Sequence, residues 1–136
     1  MNEIEVRAAR FDDYPILCEF DDFLGDRRID MQRGEILVCD FADESAIGYL
    51  RISPNHFFDW PFVVNLCVKK EYRRRGIGVA LLRAASELPL LPRLYISTEQ
   101  SNDPMRKLLN SMDVSEIGFV DQLNIDDERE LLYRLK

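Results

Sequence analysis

Apolar residues fall into alternating, continuous and helical runs that predict strands and helices in turn. Ile4 and Val6 alternate with charged neighbours and read as a first strand. Asp12 or Asp13 is placed to cap a helix opening near Pro15, and Ile16, Leu17, Phe20 and Leu24 recur on one face until Gly25 breaks it. A second short helix is expected from Arg27 to Arg33, with Gly34 as its stop. Strands then run from Ile36 to Phe41 and from Ala46 to Ile52, joined by the polar stretch Ala42 to Ser45. Pro54 is expected to end that pair. A loop of His56, Phe57, Phe58, Asp59 and Trp60 leads to Pro61.

From Phe62 to Val68 the apolar run is broken only by Asn65, so both faces are covered and a central strand is predicted. A helix starts around Arg75 or Gly76 and turns Ile77, Ala80, Leu81, Ala84 and Leu88 to one side. Pro89 and Pro92 break the chain before a strand from Leu94. Phe62 to Ile96 is therefore a strand-helix-strand unit with a right-handed crossover. Asp103 is placed to cap a helix with Pro104 in its first turn and an apolar stripe of Met105, Leu108, Leu109 and Met112. Final strands are expected near Ile117 to Leu123 and Leu131 to Leu135. No repeat or long linker divides the chain, so one α/β domain over residues 1–136 is expected. Its sheet is mixed and its helices pack against it.

Charge narrows the partners. The net charge is −7, which argues against nucleic acid or an anionic membrane, since both need clustered lysine and arginine. It suits a basic acceptor such as an amine. No window approaches the roughly 18 apolar residues of a membrane span, and charges in Met1 to Arg10 argue against a signal peptide. Cys18, Cys39 and Cys67 are widely spaced and read as small buried hydrophobes in a reducing cytoplasm, with no zinc site and no metal expected.

The chemistry concentrates in Arg73, Arg74, Arg75, Gly76, Ile77 and Gly78, which join a buried strand to a helix. Two glycines open the backbone to a ligand, and unpaired amides of a first helical turn point outward beside partial positive charge. With three arginines in front, this is a site for phosphate or pyrophosphate. A dinucleotide fingerprint would need a third glycine where Leu81 stands, and no Walker loop occurs.

The run from Asn65 to Leu82 closely resembles the acetyl-CoA-binding motif of the GNAT N-acetyltransferase superfamily: an arginine or glutamine, two residues, a glycine, one residue, then a glycine or alanine. Arg73, Gly76 and Gly78 fill its fixed positions. Leu94 to Thr98, Asn102 and the segment Ile117-Gly118-Phe119 resemble the later part of the family. The resemblance implies the acyl-CoA N-acyltransferase fold: a central twisted sheet, mostly antiparallel, with helices on both faces. It implies that the backbone amides from Arg74 through Val79, including Arg75, Gly76, Ile77 and Gly78, cradle the CoA pyrophosphate. Arg73 and Arg74 would add charge at the rim, the main chain of Leu66 and Val68 would pair with the pantetheine arm, and Asn102 would shape its channel. A splay between the strand ending at Val68 and the one from Leu94 would admit the thioester. Many members carry a tyrosine acid seven residues after that asparagine. Here the position is Leu109, which reads as core.

The function implied is acetyl transfer from acetyl-CoA, as co-substrate, to a primary amine on a small molecule or peptide, by direct attack on the thioester. The alternative is a weakly active or inactive CoA-binding regulator, which the Leu109 departure keeps open. The Val68 amide resembles the family's oxyanion donor. Candidate bases are Glu99, at the mouth of its strand, and His56, the only histidine, with Asp59 weaker. Asp121 is a candidate carboxylate to hold a cation, with Trp60, Phe57 and Phe58 as an aromatic wall. Leu131, Leu132 and Leu135 would either complete the sheet internally or pair across a homodimer.

Overall fold

The computed structural model describes residues 3–136. Seven strands form one sheet in the order β1-β2-β3-β4-β5-β7-β6. They are β1 (Ile4–Ala8), β2 (Ile36–Phe41), β3 (Glu44–Phe57), β4 (Trp60–Val68), β5 (Tyr95–Glu99), β6 (Ser115–Val120) and β7 (Glu130–Arg134). Four helices accompany it: α1 (Tyr14–Phe20), α2 (Arg28–Gln32), α3 (Ile77–Ser86) and α4 (Asp103–Ser111). Only β4 and β5 pair in parallel, across α3, and every other neighbour is antiparallel.

Alternation along the strands separates two cores. On one face Leu50, Ile52, Val63, Ile96 and Leu131 meet Ile77, Leu81 and Ala85 of α3 and Leu109 of α4. On the other, Val38, Ala46 and Tyr49 meet Leu17, Leu24 and Met31 from the α1–α2 segment. That second layer is pinned by charge. Arg7 of β1 bonds Asp13 at 2.8 Å and Asp40 of β2 at 2.8 Å, with all three side chains largely buried.

Several expectations are corrected. Helix α1 ends at Phe20, although Leu24 is still buried. Asp13 makes no cap bond to that helix because its carboxylate is taken by Arg7 and the Arg10 amide. Asn102, not Asp103, caps α4, its Oδ1 accepting from the Met105 amide at 3.2 Å. Pro54 does not end β3, because the strand there has run past the end of β2 and its pairing with β4 is irregular, so the missing N–H costs no ladder bond. The predicted loop before Pro61 is a tight hairpin turn on Phe58 and Asp59, both at positive φ (49° and 65°). β6 begins and ends earlier than expected. β7 lies between β5 and β6, so Leu131 completes the sheet internally and the edges are β1 and β6. Cys18 is exposed, whereas Cys39 is buried.

Candidate active site

The sheet opens where its one parallel pair separates. In β4, Asn65 faces Arg51 and Val63 faces Ile52, which leaves Val64 as a bulge. Pairing of β4 with β5 ends at Val63 and Ile96. Beyond that point the strands part around a cavity of about 320 Å³ lined by Val64, Asn65, Leu66, Ser97, Thr98, Glu99, Asn102 and Met105.

Backbone register aims β4 into this gap. The Lys69 amide bonds Ile47 O on β3 at 2.7 Å. Polar groups alternate sides along an antiparallel strand, so the N–H and C=O of Leu66 and Val68 turn away from β3, into the opening. Val68 O is taken by Arg73 Nε at 3.0 Å, while the Val68 N–H, on the same edge of the strand, faces the opening.

A larger groove of about 850 Å³ lies between the start of α3 and α4, lined by Leu66, Val68, Tyr72, Arg73, Arg74, Gly76 to Val79, Asn102 and Lys107. Arg74 (φ 63°) and Gly76 (φ 82°) both adopt left-handed backbone and reverse the chain into the helix. The first helical bond runs from the Ala80 amide to Gly76 O at 3.0 Å, so the amides of Ile77, Gly78 and Val79 have no helical acceptor. Space beside Gly76 is open, and its φ explains the glycine. A Cβ on Gly78 would lie 2.7 Å from Leu108 Cδ1, so that glycine also serves the packing of α3 on α4.

The three arginines divide their work. Arg73 ties the loop to β4, Arg74 lines the groove, and Arg75 stacks over Phe41 (5.3 Å) and Tyr72 (5.7 Å) outside it. Lys107, which sequence reasoning missed, faces the groove from α4. Its only signal was a cation one turn after the capping asparagine. Asn102, Leu66 and Met105 line both cavities, so the groove and the gap adjoin. Leu109 is fully buried in the core.

On the far side of the gap the surface is acidic. Glu99, Asp126 and Glu128 each place a carboxylate oxygen within 4.8 Å of the others. Ser97 Oγ donates to Glu130 at 2.6 Å. Desolvation, then the carboxylates of Glu128, Asp126 and Glu130, raise the Glu99 carboxyl above its ordinary range. Asp121 is paired with Arg129 at 2.8 Å, and that guanidinium lies 3.7 Å over Phe119. His56 and Asp59 line neither cavity. His56 is exposed on the hairpin at the opposite end of β4, its ring 5.1 Å from that of Phe62, and Trp60 there lies under Arg93.

A seven-stranded sheet split between β4 and β5, beside a left-handed turn opening a helix, is the acyl-CoA N-acyltransferase fold. The model of the acetyltransferase (GNAT) family matches residues 4–113, and the chain belongs to that family. No curated protein matches it. Among solved structures, a GNAT-family acetyltransferase from Bacillus cereus is 25% identical, covers 96% of this chain and 95% of its own, and superposes with a TM-score of 0.84. The yncA protein of Salmonella typhimurium, solved with its cofactor acetyl-CoA, is 15% identical over 99% and 94% of the chains, with a TM-score of 0.78. An IAA acetyltransferase from Bacillus cereus is 16% identical over 96% and 97%, with a TM-score of 0.73. The last two likenesses concern the fold.

Proposed function

We propose that this protein transfers an acetyl group from acetyl-CoA to a primary amine by direct attack. The adjacency of the groove and the gap carries the reading, because it sets a ligand held beside α3 next to an acceptor held where β4 and β5 part. The groove suits the cofactor: its free amides and left-handed turn fit a pyrophosphate, Arg74 and Lys107 supply charge, and the polar edge of β4 suits an amide-bearing arm. When bound, acetyl-CoA supplies a thioester carbonyl, with which the amine forms an amide as the thiol leaves.

The residues of the chain have three tasks. The raised Glu99 carboxylate takes the proton of the incoming ammonium, directly or through one water. The Val68 N–H donates to the carbonyl oxygen as it gains charge. Asn102 holds the passage between the two cavities. Leu109 supplies no proton, and a thiolate leaves acceptably without one because thiols are far more acidic than alcohols, free cysteine titrating at about 8.5.

Calorimetric titration with acetyl-CoA tests the reading, using wild type and Gly76→Asp. Micromolar binding is expected, weakened about a hundredfold or more by a carboxylate facing the pyrophosphate. Absence of binding to folded wild type overturns the assignment. Binding without thiol release across an amine panel would favour a CoA-binding regulator, the reading that buried Leu109 supports.

A further inference from the structure

The acceptor face of the sheet carries opposite charge on its two sides. On one side, two guanidinium groups share a single carboxylate. Arg51 of β3 lies 3.4 Å from Asp30 of α2, and Arg27 lies 4.0 Å from the same oxygen. Arg51 Nε donates to Asn65 Oδ1 at 2.7 Å, and Asn65 is itself part of the wall of the gap. The Arg51 side chain is only 17% exposed, and its second terminal nitrogen has no partner among the described residues. A guanidinium this buried normally has its fork filled by carboxylate oxygens. Here one Asp serves two arginines, and the other acid near Arg51, Asp21, is bonded by the Tyr49 hydroxyl, so the open nitrogen of Arg51 has no carboxylate of its own.

On the other side of the gap stand Glu99 and Glu130, both on the same face as Asn65 and Arg51. Among the described residues no arginine or lysine pairs with either, since Arg129 is engaged by Asp121. A ligand in the gap therefore has the half-filled Arg51 fork, behind Asn65, on one side and carboxylates with no cation partner on the other.

We infer that the acceptor is a free amino acid: its carboxylate docks on Arg51 and Arg27, and its amine lies in the gap beside Glu99. The inference rests on the transferase reading above. A diamine matches the acidic side but places its second ammonium against Arg51, and an amino acid amide leaves the guanidinium fork unfilled.

Thiol release from acetyl-CoA is measured with free amino acids, their C-terminal amides and putrescine. For wild type, the best free acid should exceed its own amide by roughly 10- to 100-fold in kcat/KM, mostly through KM. Arg51→Gln should bring that ratio towards one and Arg27→Gln should reduce it in part, with acetyl-CoA affinity reporting that each variant is folded. Equal or better turnover of amides or putrescine by wild type overturns this inference and leaves the transferase reading standing. Release that no amine raises above the amine-free rate overturns both.

Discussion

The two faces of the opened sheet are built in different ways. The groove beside α3 is made largely of backbone: free amides, a left-handed turn at Gly76 and the inward-facing edge of β4. The proposed acceptor face is made of side chains drawn from α2, β3, β4, β5, the segment before β7 and β7 itself: Asp30, Arg51, Asn65, Glu99, Glu128 and Glu130. Backbone recognition needs only a short stretch of chain in one conformation. It binds a chemical group common to many reactions. Side-chain recognition is assembled across the fold, and each residue in it can change without disturbing the turn. One family can thus keep its cofactor and vary its acceptor.

If that division holds, loosening the layer that carries the acceptor wall should have the largest effect. Arg7 ties β1 to Asp13, just before α1, and to Asp40 of β2. Arg7→Ala leaves both carboxylates largely buried and unpaired, a loss of about 3 kcal/mol measurable by urea unfolding. Burial alone would raise the Asp13 and Asp40 carboxyls, but their bonds to Arg7, with those from the Arg10 and Ala46 amides, together outweigh it and hold both below the ordinary value. Their stabilising contribution is thus complete above the unfolded carboxyl pKa of about 4 and fades as pH falls through the lower folded values. Wild type should lose stability over that acid range, and the variant should show a shallower dependence there. An unchanged profile would mean the triad is not what secures this layer.

Glu99→Gln separates the faces next. Turnover should fall roughly a hundredfold while acetyl-CoA affinity is unchanged. With Glu99 as the proposed base its ionised form is the active one, and because the carboxyl is raised that form gains with pH through the raised value. The ascending limb of the wild-type rate profile should flatten in the variant. Equal loss of cofactor binding would break the comparison, since it would place Glu99 in both halves of the site.

The same contrast explains what was legible in the sequence. Arg73, Gly76 and Gly78 are neighbours along the chain, so their pattern and the strand and helix around them announced the groove. Leu109 was legible as core because the helical stripe of α4 is local too. The pairing of Arg51 with Asn65 follows from the β3–β4 register, and the bond of Arg51 to Asp30 from the seating of α2, neither of which local periodicity encodes. His56 suggested a base by its chemistry alone, yet the hairpin at Phe58 and Asp59 carries it to the wrong end of β4. The insertion of β7 between β5 and β6 was equally invisible, because antiparallel pairing can reverse the spatial order of consecutive strands.

Leu109→Tyr asks whether the missing phenol matters. The position is fully buried among core residues, so the larger ring should cost about 1–3 kcal/mol through overpacking. Thermal melting should register that loss with no gain in turnover. A faster enzyme would show that the ring reaches the gap after all.

The smallest effect expected is at Gly78, and it measures how far the groove depends on side chains at all. Its φ is ordinary, unlike that of Gly76, so alanine is not strained there. The added Cβ would sit 2.7 Å from Leu108 Cδ1, the far end of a flexible and only half-buried side chain, which can rotate away. Alanine at this helical position of the first turn also narrows the unfolded ensemble relative to glycine, a gain of about 0.4–1 kcal/mol. The two terms nearly offset, so Gly78→Ala should move stability by less than about 1 kcal/mol. Leu108 lines the groove with Gly78, so its movement reaches the ligand before it reaches the core. Acetyl-CoA affinity should therefore fall a few-fold while the melting temperature stays close to that of wild type. A large drop in stability with unchanged affinity would instead make Gly78 a packing residue of the α3–α4 contact alone, and the groove would then rest on Gly76 and the free amides.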